Sequence, residues 1–140
     1  MASKLARVGG EFQVNLLTAN NQNRHEITPL TDGRFVVVYN SFFNPGGTDI
    51  DVIGQFVNPD GTLSGLAIDV AAANGIQDMP TVAPRFGGGF TTVWEDFGMT
   101  TGSPSASADI YYAVTSSADL AGLLHRGASF RSDLRRLGAG

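Results

Sequence analysis

Two short segments of the chain combine an aromatic residue with polar residues that could hydrogen-bond a ligand. They are Tyr39-Asn40-Ser41 and Trp94-Glu95-Asp96. An aromatic ring offers apolar area in a fixed orientation, and amide or carboxylate groups donate to or accept from vicinal hydroxyls. These groups suit a sugar ring, so we expect a carbohydrate (glycan) site at each segment. The alternative is that both aromatic rings lie in the core and only the polar residues that follow them are exposed.

The two segments are related by an internal duplication. An offset of 55 positions aligns three pairs of similar residues: Gln22 with Gln77, Phe35 with Phe90, and Tyr39 with Trp94. Further along, the offset grows to 58 and aligns Asp51 with Asp109, because extra residues fall in a loop, where insertions are tolerated. The sequence therefore predicts a two-repeat domain over residues 1–122, with repeat one at 11–65 and repeat two at 66–122.

Each repeat is predicted to be a four-stranded antiparallel meander, so the fold class is all-β. Runs of β-branched residues such as Val36-Val37-Val38 alternate with glycine-containing turns. The predicted strands are 11–17, 26–30, 34–41 and 50–57, and then 66–71, 80–85, 89–95 and 109–115. Charged residues make up only 16% of the chain, which disfavours a helical bundle. Leucine spacing predicts one short helix, at about 129–137.

The second repeat resembles a repeat of large bacterial secreted proteins. It runs Gln-x-x-Pro-x-Val-Ala from Gln77 and continues as Gly-Gly-Phe-x-x-x-Trp up to Trp94. That family accompanies hemolysin-type (RTX) calcium-binding repeats and is organised like blades of a β-propeller. The first repeat departs from the pattern, with His25 and Tyr39 where the second has Pro80 and Trp94. The resemblance implies a lectin-like or adhesin-like protein outside the cell or on the surface of a bacterium.

Two blades are too few to close a propeller ring, which takes at least about four. A two-blade unit would leave open sheet faces and unpaired edge strands, which invite association. We therefore expect a homo-oligomer in which several chains complete one ring. The alternatives are that the chain is a piece of a longer array, or that its two sheets close on each other as a compact sandwich.

Catalysis is not expected from this sequence. Neither His25 nor His125 lies near a Gly-x-Ser-x-Gly elbow. Glu95 and Asp96 are adjacent in a predicted strand and would point to opposite faces, so they could not flank one scissile bond. The leading hypothesis is a non-enzymatic carbohydrate-binding module, and the rival hypothesis is a structural spacer repeat without a small ligand.

Calcium is the one metal that the acidic residues suggest. Asp49, Asp51 and Asp60 lie near predicted hairpin ends, and Ca²⁺ takes six to eight oxygen ligands from such loops. Neither an EF-hand loop nor the Gly-Gly-x-Gly-x-Asp repeat occurs, and the turn Asn58-Pro59-Asp60-Gly61 explains Asp60 without a metal. We therefore predict no cofactor and regard these three aspartates as weak candidates.

Charge separates the body of the chain from residues 123–140. This tail holds four arginines and one aspartate, so the rest is more acidic than the net charge of −4 for the whole chain. An acidic body repels phosphate, so we do not expect nucleic acid as a partner. No apolar run approaches the ~20 residues of a membrane helix, and no signal peptide is visible at the start. The tail is a solvated appendage, a helix on the acidic body, or an export signal.

Overall fold

A computed structural model describes residues 9–43, 46–100 and 103–118, and its named elements are all β-strands. They are β1 (Gln22–Pro29), β2 (Phe35–Phe42), β3 (Ile50–Val57), β4 (Leu63–Ala71), β5 (Gln77–Pro84), β6 (Phe90–Asp96), β7 (Met99–Thr100), β8 (Ser103–Pro104) and β9 (Asp109–Thr115). The expected all-β class is therefore confirmed. In the residues described, no helix is long and apolar enough to cross a membrane. The predicted helix at 129–137 and the tail at 123–140 lie outside them.

The strands form two main antiparallel sheets. Sheet one has the order β1-β2-β3-β4, sheet two has the order β5-β6-β9, and β7 pairs only with β8. Two predicted strands differ from this arrangement, because residues 11–17 form no strand and residues 66–71 belong to β4 of sheet one. The short turn closed by the Asn58 amide and the Thr62 carbonyl (2.8 Å) returns the chain directly beside β3. Sheet two therefore has three strands in the described part of the chain, not four.

The strand registers reproduce the internal duplication. Pro29 pairs with Phe35 in sheet one, and Pro84 pairs with Phe90 in sheet two, at the offset of 55. Both β1 and β5 also contain a bulge. The bulges place Arg24 (φ 50°) and Met79 (φ 51°) in the left-handed region, which non-glycine residues seldom occupy. Two residues 55 positions apart thus share an unusual backbone conformation, so the two sheets have one local architecture.

Sheets one and two pack face to face around the main core. The inner face of sheet one, which includes Val36, Val38 and Phe56, packs against Phe90 and Trp94 of sheet two. The Phe56 and Phe90 rings meet edge to face, with centroids 6.1 Å apart. Side chains alternate along each strand, so the intervening residues lie on the outer faces.

The outer face of sheet one carries a second, smaller core. It consists of Val37, Tyr39, Ile53 and Val57. Val14, from the segment before β1, packs against this cluster together with Phe43, Leu63 and Ala67. Sheet one is therefore covered on its inner face and partly on its outer face, whereas in the described part of the chain sheet two is covered only where it meets sheet one.

Candidate functional site

The first predicted segment divides between a surface cleft and the interface of the two sheets. Tyr39 is only 3% exposed and lies on the outer face of sheet one. Asn40 and Ser41 are also buried. The Asn40 side-chain amide donates to the carboxylate of Asp78 in β5, and Arg24 approaches the same carboxylate at 3.2 Å. Asn40 therefore helps to join the two sheets, and Tyr39 is the residue of this segment that reaches a cleft.

The second predicted segment forms no equivalent cleft. Trp94 is buried against sheet one and stacks on Tyr111, with ring centroids 6.2 Å apart. Glu95 is half-buried, and Asp96 accepts a hydrogen bond from the Gly98 amide at 2.8 Å. Tyr39 and Trp94 lie on the same face of their respective repeats, but this face is the outer one in sheet one and the inner one in sheet two. The two aromatic residues are therefore equivalent in sequence but have different surroundings.

The cleft at Tyr39 lies between the segment before β1 and the outer face of sheet one. It has a volume of about 210 Å³ and is lined by Val14, Asn15, Gln22, Asn23, His25, Val37 and Tyr39. The bulge in β1 shapes it, because Asn23 and His25 border the cleft while Arg24 between them reaches across to Asp78. One irregularity of the backbone thus serves both the cleft and the interface of the sheets.

Hydrogen bonds fix the amide side chains on one side of the cleft. The Asn15 amide donates to the Gln22 side-chain oxygen at 3.1 Å and to the Leu17 carbonyl at 2.7 Å. Gln22 in turn donates to the Ala19 carbonyl at 2.7 Å. These bonds hold the chain before β1 in place without a strand, since they replace the ladder that a strand would use.

Seven buried side-chain polar atoms have no hydrogen-bond partner among the described residues, and two of them belong to residues that line the cleft. These two are the Tyr39 hydroxyl and the Asn23 side-chain carbonyl oxygen. A buried polar atom without a partner costs about 1–3 kcal/mol, so such atoms are uncommon in folded proteins. One of these atoms can donate and the other can accept. The residues that line the cleft therefore include one unused donor and one unused acceptor.

Burial keeps the Tyr39 hydroxyl protonated. Desolvation raises the pKa of Tyr39 from 10.0 to about 12, because a phenolate would lose hydration in this position. At neutral pH the group is thus a hydrogen-bond donor rather than an anion. The residues that line the cleft include no carboxylate, lysine or arginine, so the cleft is suited to a neutral, polar ligand.

Replacing Tyr39 with phenylalanine is expected to remove a loss of stability at alkaline pH. Since the folded pKa of Tyr39 exceeds the unfolded value, its contribution is complete below pH 10 and is lost as the pH rises towards 12. A shift of this size corresponds to roughly 3 kcal/mol. Urea unfolding between pH 8 and pH 12 measures it. Parallel curves for the parent and Tyr39→Phe would show that Tyr39 ionises as freely in the folded chain as in the unfolded chain.

The three weak metal candidates do not converge on one site. Asp51 is buried in β3, and Asp49 lies just before that strand. Asp60 accepts hydrogen bonds from the Thr62 amide (2.9 Å) and hydroxyl (2.7 Å), which hold the pKa of the Asp60 carboxyl below its usual value. Within the described ranges, no group of three or more His, Cys, Asp or Glu side chains could hold a metal ion.

Sequence reasoning missed most of the residues that line the cleft. Asn15 was expected within a strand, and neither Asn23 nor Gln22 was expected at the site. The sequence does contain one relevant signal, since Asn23 aligns with Asp78 at the offset of 55. Asp78 lies at the interface of the two sheets, whereas Asn23 lines the cleft at the outer face of sheet one.

Comparison with known proteins adds no further constraint on this site. No family model, curated protein or solved structure matches the chain.

Proposed function

We propose that this chain is a non-enzymatic carbohydrate-binding module and that the cleft at Tyr39 holds one sugar unit of a glycan. The observation that carries the proposal is the pair of buried, unpartnered polar atoms, the Tyr39 hydroxyl and the Asn23 carbonyl oxygen. A sugar supplies hydroxyl groups that both accept and donate, so one sugar unit could satisfy both atoms.

The composition of the cleft supports a neutral ligand. Val14 and Val37 give it apolar walls, and Tyr39 adds an aromatic ring with a protonated hydroxyl. An apolar wall with a few placed polar groups is the usual makeup of a ligand site. A phosphate or carboxylate ligand would find no lysine or arginine among the lining residues.

The size of the cleft supports a small ligand unit. Sites for drug-sized molecules measure roughly 300–1,000 Å³, and this cleft measures about 210 Å³. One sugar ring is therefore a better match than an oligosaccharide. Binding at a single cleft of this size is expected to be weak, and glycans that present many copies of one sugar would gain from multivalent contact.

Replacing Tyr39 with phenylalanine is also the test of this proposal. The substitution removes only the hydroxyl and leaves the ring in the core. We expect binding to a glycan array to fall at least about fivefold, which corresponds to one hydrogen bond. We also expect equal or higher stability at pH 7, because the buried hydroxyl has no partner in the unliganded protein.

The matched control is Tyr111→Phe. Tyr111 lies at the edge of sheet two, half exposed and remote from the cleft lining, so losing its hydroxyl should leave glycan binding unchanged. A blank array for the parent chain, or equal binding by the parent and Tyr39→Phe, would refute the carbohydrate proposal.

A structural spacer is the second candidate function, and one observation favours it. Trp94, the best match to the repeat pattern, is buried in the core between the sheets rather than at a site. Its role is therefore accounted for by packing. If the glycan array stays blank, stacking of sheets remains as the proposed role of the repeat.

The proposal also includes the location of the protein and its partners. Sheets one and two stack face to face as neighbouring propeller blades do, and the pattern from Gln77 to Trp94 resembles repeats of bacterial secreted proteins. We therefore propose an extracellular or cell-surface role and partners that include a glycan and further copies of the chain. A ring of several chains would need an open outer face on both sheets.

A further inference from the structure

The outer face of sheet two is an exposed apolar surface. Strand pairing places Val93 opposite Tyr112, Thr91 opposite Val114, and Glu95 opposite Ile110. We call the face of the three strands that carries these six residues the outer face of sheet two. Ile110 is 70% exposed and Tyr112 is 72% exposed, while Val114 is also exposed. Such a cluster of apolar side chains on one sheet face marks an interaction surface.

The internal duplication indicates what kind of structure would cover the outer face of sheet two. The offsets of 55 and 58 relate Val93 to Val38 and Ile110 to Val52. In sheet one, Val38 and Val52 are fully buried because sheet two packs on them. The same face of the repeat is thus covered by a β-sheet in one copy, whereas no described strand covers it in the other. A β-sheet is therefore the expected occupant of the open face.

A second copy of the chain offers two faces that could cover it, and one of them is already partly filled. The outer face of sheet one is partly covered by the chain's own residues, since Tyr39 and Ile53 are buried there and Val14 packs over them, while Ile27 at its edge strand stays exposed. Head-to-tail stacking of copies would have to displace that segment. The face of a second copy that no segment among residues 9–43, 46–100 and 103–118 covers is the outer face of its own sheet two.

We propose that the outer face of sheet two pairs with the same face of a second copy, as a two-fold symmetric dimer. Val93 lies at the centre of this face, on the middle strand, and therefore close to the symmetry axis. Glu95 is the only charged residue of the six and lies towards one end of the strand. If the two-fold axis runs across the strands near Val93, the two Glu95 carboxylates lie at opposite ends of the interface and do not repel each other closely.

The size of the face sets the strength of the dimer. Three strands about 4.8 Å apart, each about seven residues long with a rise of ~3.4 Å, give a face of roughly 350 Å². Standard stable interfaces bury about 800 Å² per partner. The dimer is therefore expected to be weak and reversible.

Sedimentation equilibrium tests the dimer over a range of concentrations. The mass should rise from the monomer value of 14.7 kDa and level off at twice that value. Tyr112→Asp should hold the chain at the monomer mass, since two buried carboxylates would face the partner. Ile110→Asp, at a second exposed position, should do the same, and circular dichroism should show both variants folded like the parent.

The matched control is Ile27→Asp. Ile27 is an equally apolar residue, 59% exposed, that pairs with Val37 in sheet one and so lies away from the proposed interface. This variant should associate as the parent does. A parent that stays monomeric up to millimolar concentration, a mass that grows past the dimer, or association blocked by Ile27→Asp but not by Tyr112→Asp would each overturn the proposal.

Cross-linking tests the symmetry independently. The chain contains no cysteine, so Val93→Cys introduces a single thiol near the proposed axis. A short bismaleimide should join two Val93→Cys chains into a covalent dimer at concentrations where the parent associates, and it should leave Ile27→Cys monomeric. Association without a Val93→Cys cross-link would show that two different faces meet and would overturn the two-fold arrangement.

Discussion

Replacing Phe90 with alanine is expected to lower the free energy of unfolding by about 3–5 kcal/mol. Phe90 is fully buried at the start of β6 and packs edge to face on Phe56 of sheet one. The substitution therefore removes apolar contacts from both sheets at once and leaves a cavity that a packed sheet cannot close. Urea unfolding measures the loss as a lower midpoint with an unchanged slope.

The matched control for this prediction is Phe86→Ala. Phe86 has the same side chain, only four residues earlier, but it lies at the tip of the turn between β5 and β6 and is fully exposed. Its replacement should change the stability by less than about 0.5 kcal/mol. A loss below about 1 kcal/mol for Phe90→Ala, or equal losses for both variants, would mean that Phe90 does not hold the two sheets together.

The repeats and most strands could be predicted from the sequence because their determinants are local. Alternating β-branched residues define β2, and the turns with Gly33 and Gly61 supply the positive φ angles (88° and 87°) that tight reversals need. The offset of 55 then predicts the strands of the second repeat from those of the first. These features depend on residues within a few positions of each other, so sequence alone specifies them.

Strand pairing could not be predicted in the same way. The segment 11–17 alternates apolar and polar residues like a strand, but no neighbouring strand pairs with it in the described residues. Only Val14 of its apolar residues packs into a core cluster, while Phe12 and Leu16 stay exposed. Alternation reports which side chains prefer burial, whereas a strand also needs a partner edge, and that partner is set by tertiary structure.

The candidate site could likewise be predicted only in part from the sequence. Sequence pointed to Tyr39 and Trp94 as equivalent residues, and the equivalence of their backbone positions is visible in the registers. Their surroundings differ because sheet two has a sheet on its Trp94 side, whereas on its Tyr39 side sheet one has, among the described residues, the segment before β1 and a few neighbouring side chains. The order in which the sheets stack, which no local pattern encodes, determines which aromatic residue borders a cleft.

The outer face of sheet two is exposed because the two sheets are covered unequally. A repeat whose two faces are both apolar must cover both, and two copies in one chain cover only the pair of faces between them. The segment with Val14 partly covers one of the remaining faces. The other, with Tyr112 at its surface, has no such segment among the described residues.

Replacing Gly89 with alanine is expected to destabilise the fold more than any other glycine substitution in its turn. Gly89 has a φ of +81°, and a Cβ atom added there would lie 1.9 Å from the backbone carbonyl oxygen of Thr115. That oxygen belongs to β9, which pairs with Phe90 at this point. A contact this short forces the end of β9 away from β6, because backbone atoms cannot yield as a flexible side chain can.

Gly65→Ala separates the steric clash from the cost of the backbone angle. Gly65 has a similar φ of +70°, but nothing lies within 4 Å of an added Cβ, so alanine there should cost only the left-handed conformation, about 1–2 kcal/mol. Gly89→Ala adds the loss of the pairing at Thr115 and should cost about 4 kcal/mol or more, enough to unfold a marginally stable domain. Urea unfolding of both variants gives the comparison, and backbone NMR shifts at Thr115 report the displacement if Gly89→Ala stays folded. If the two substitutions lower the free energy of unfolding equally, β9 does not approach Gly89 as closely as the structure shows.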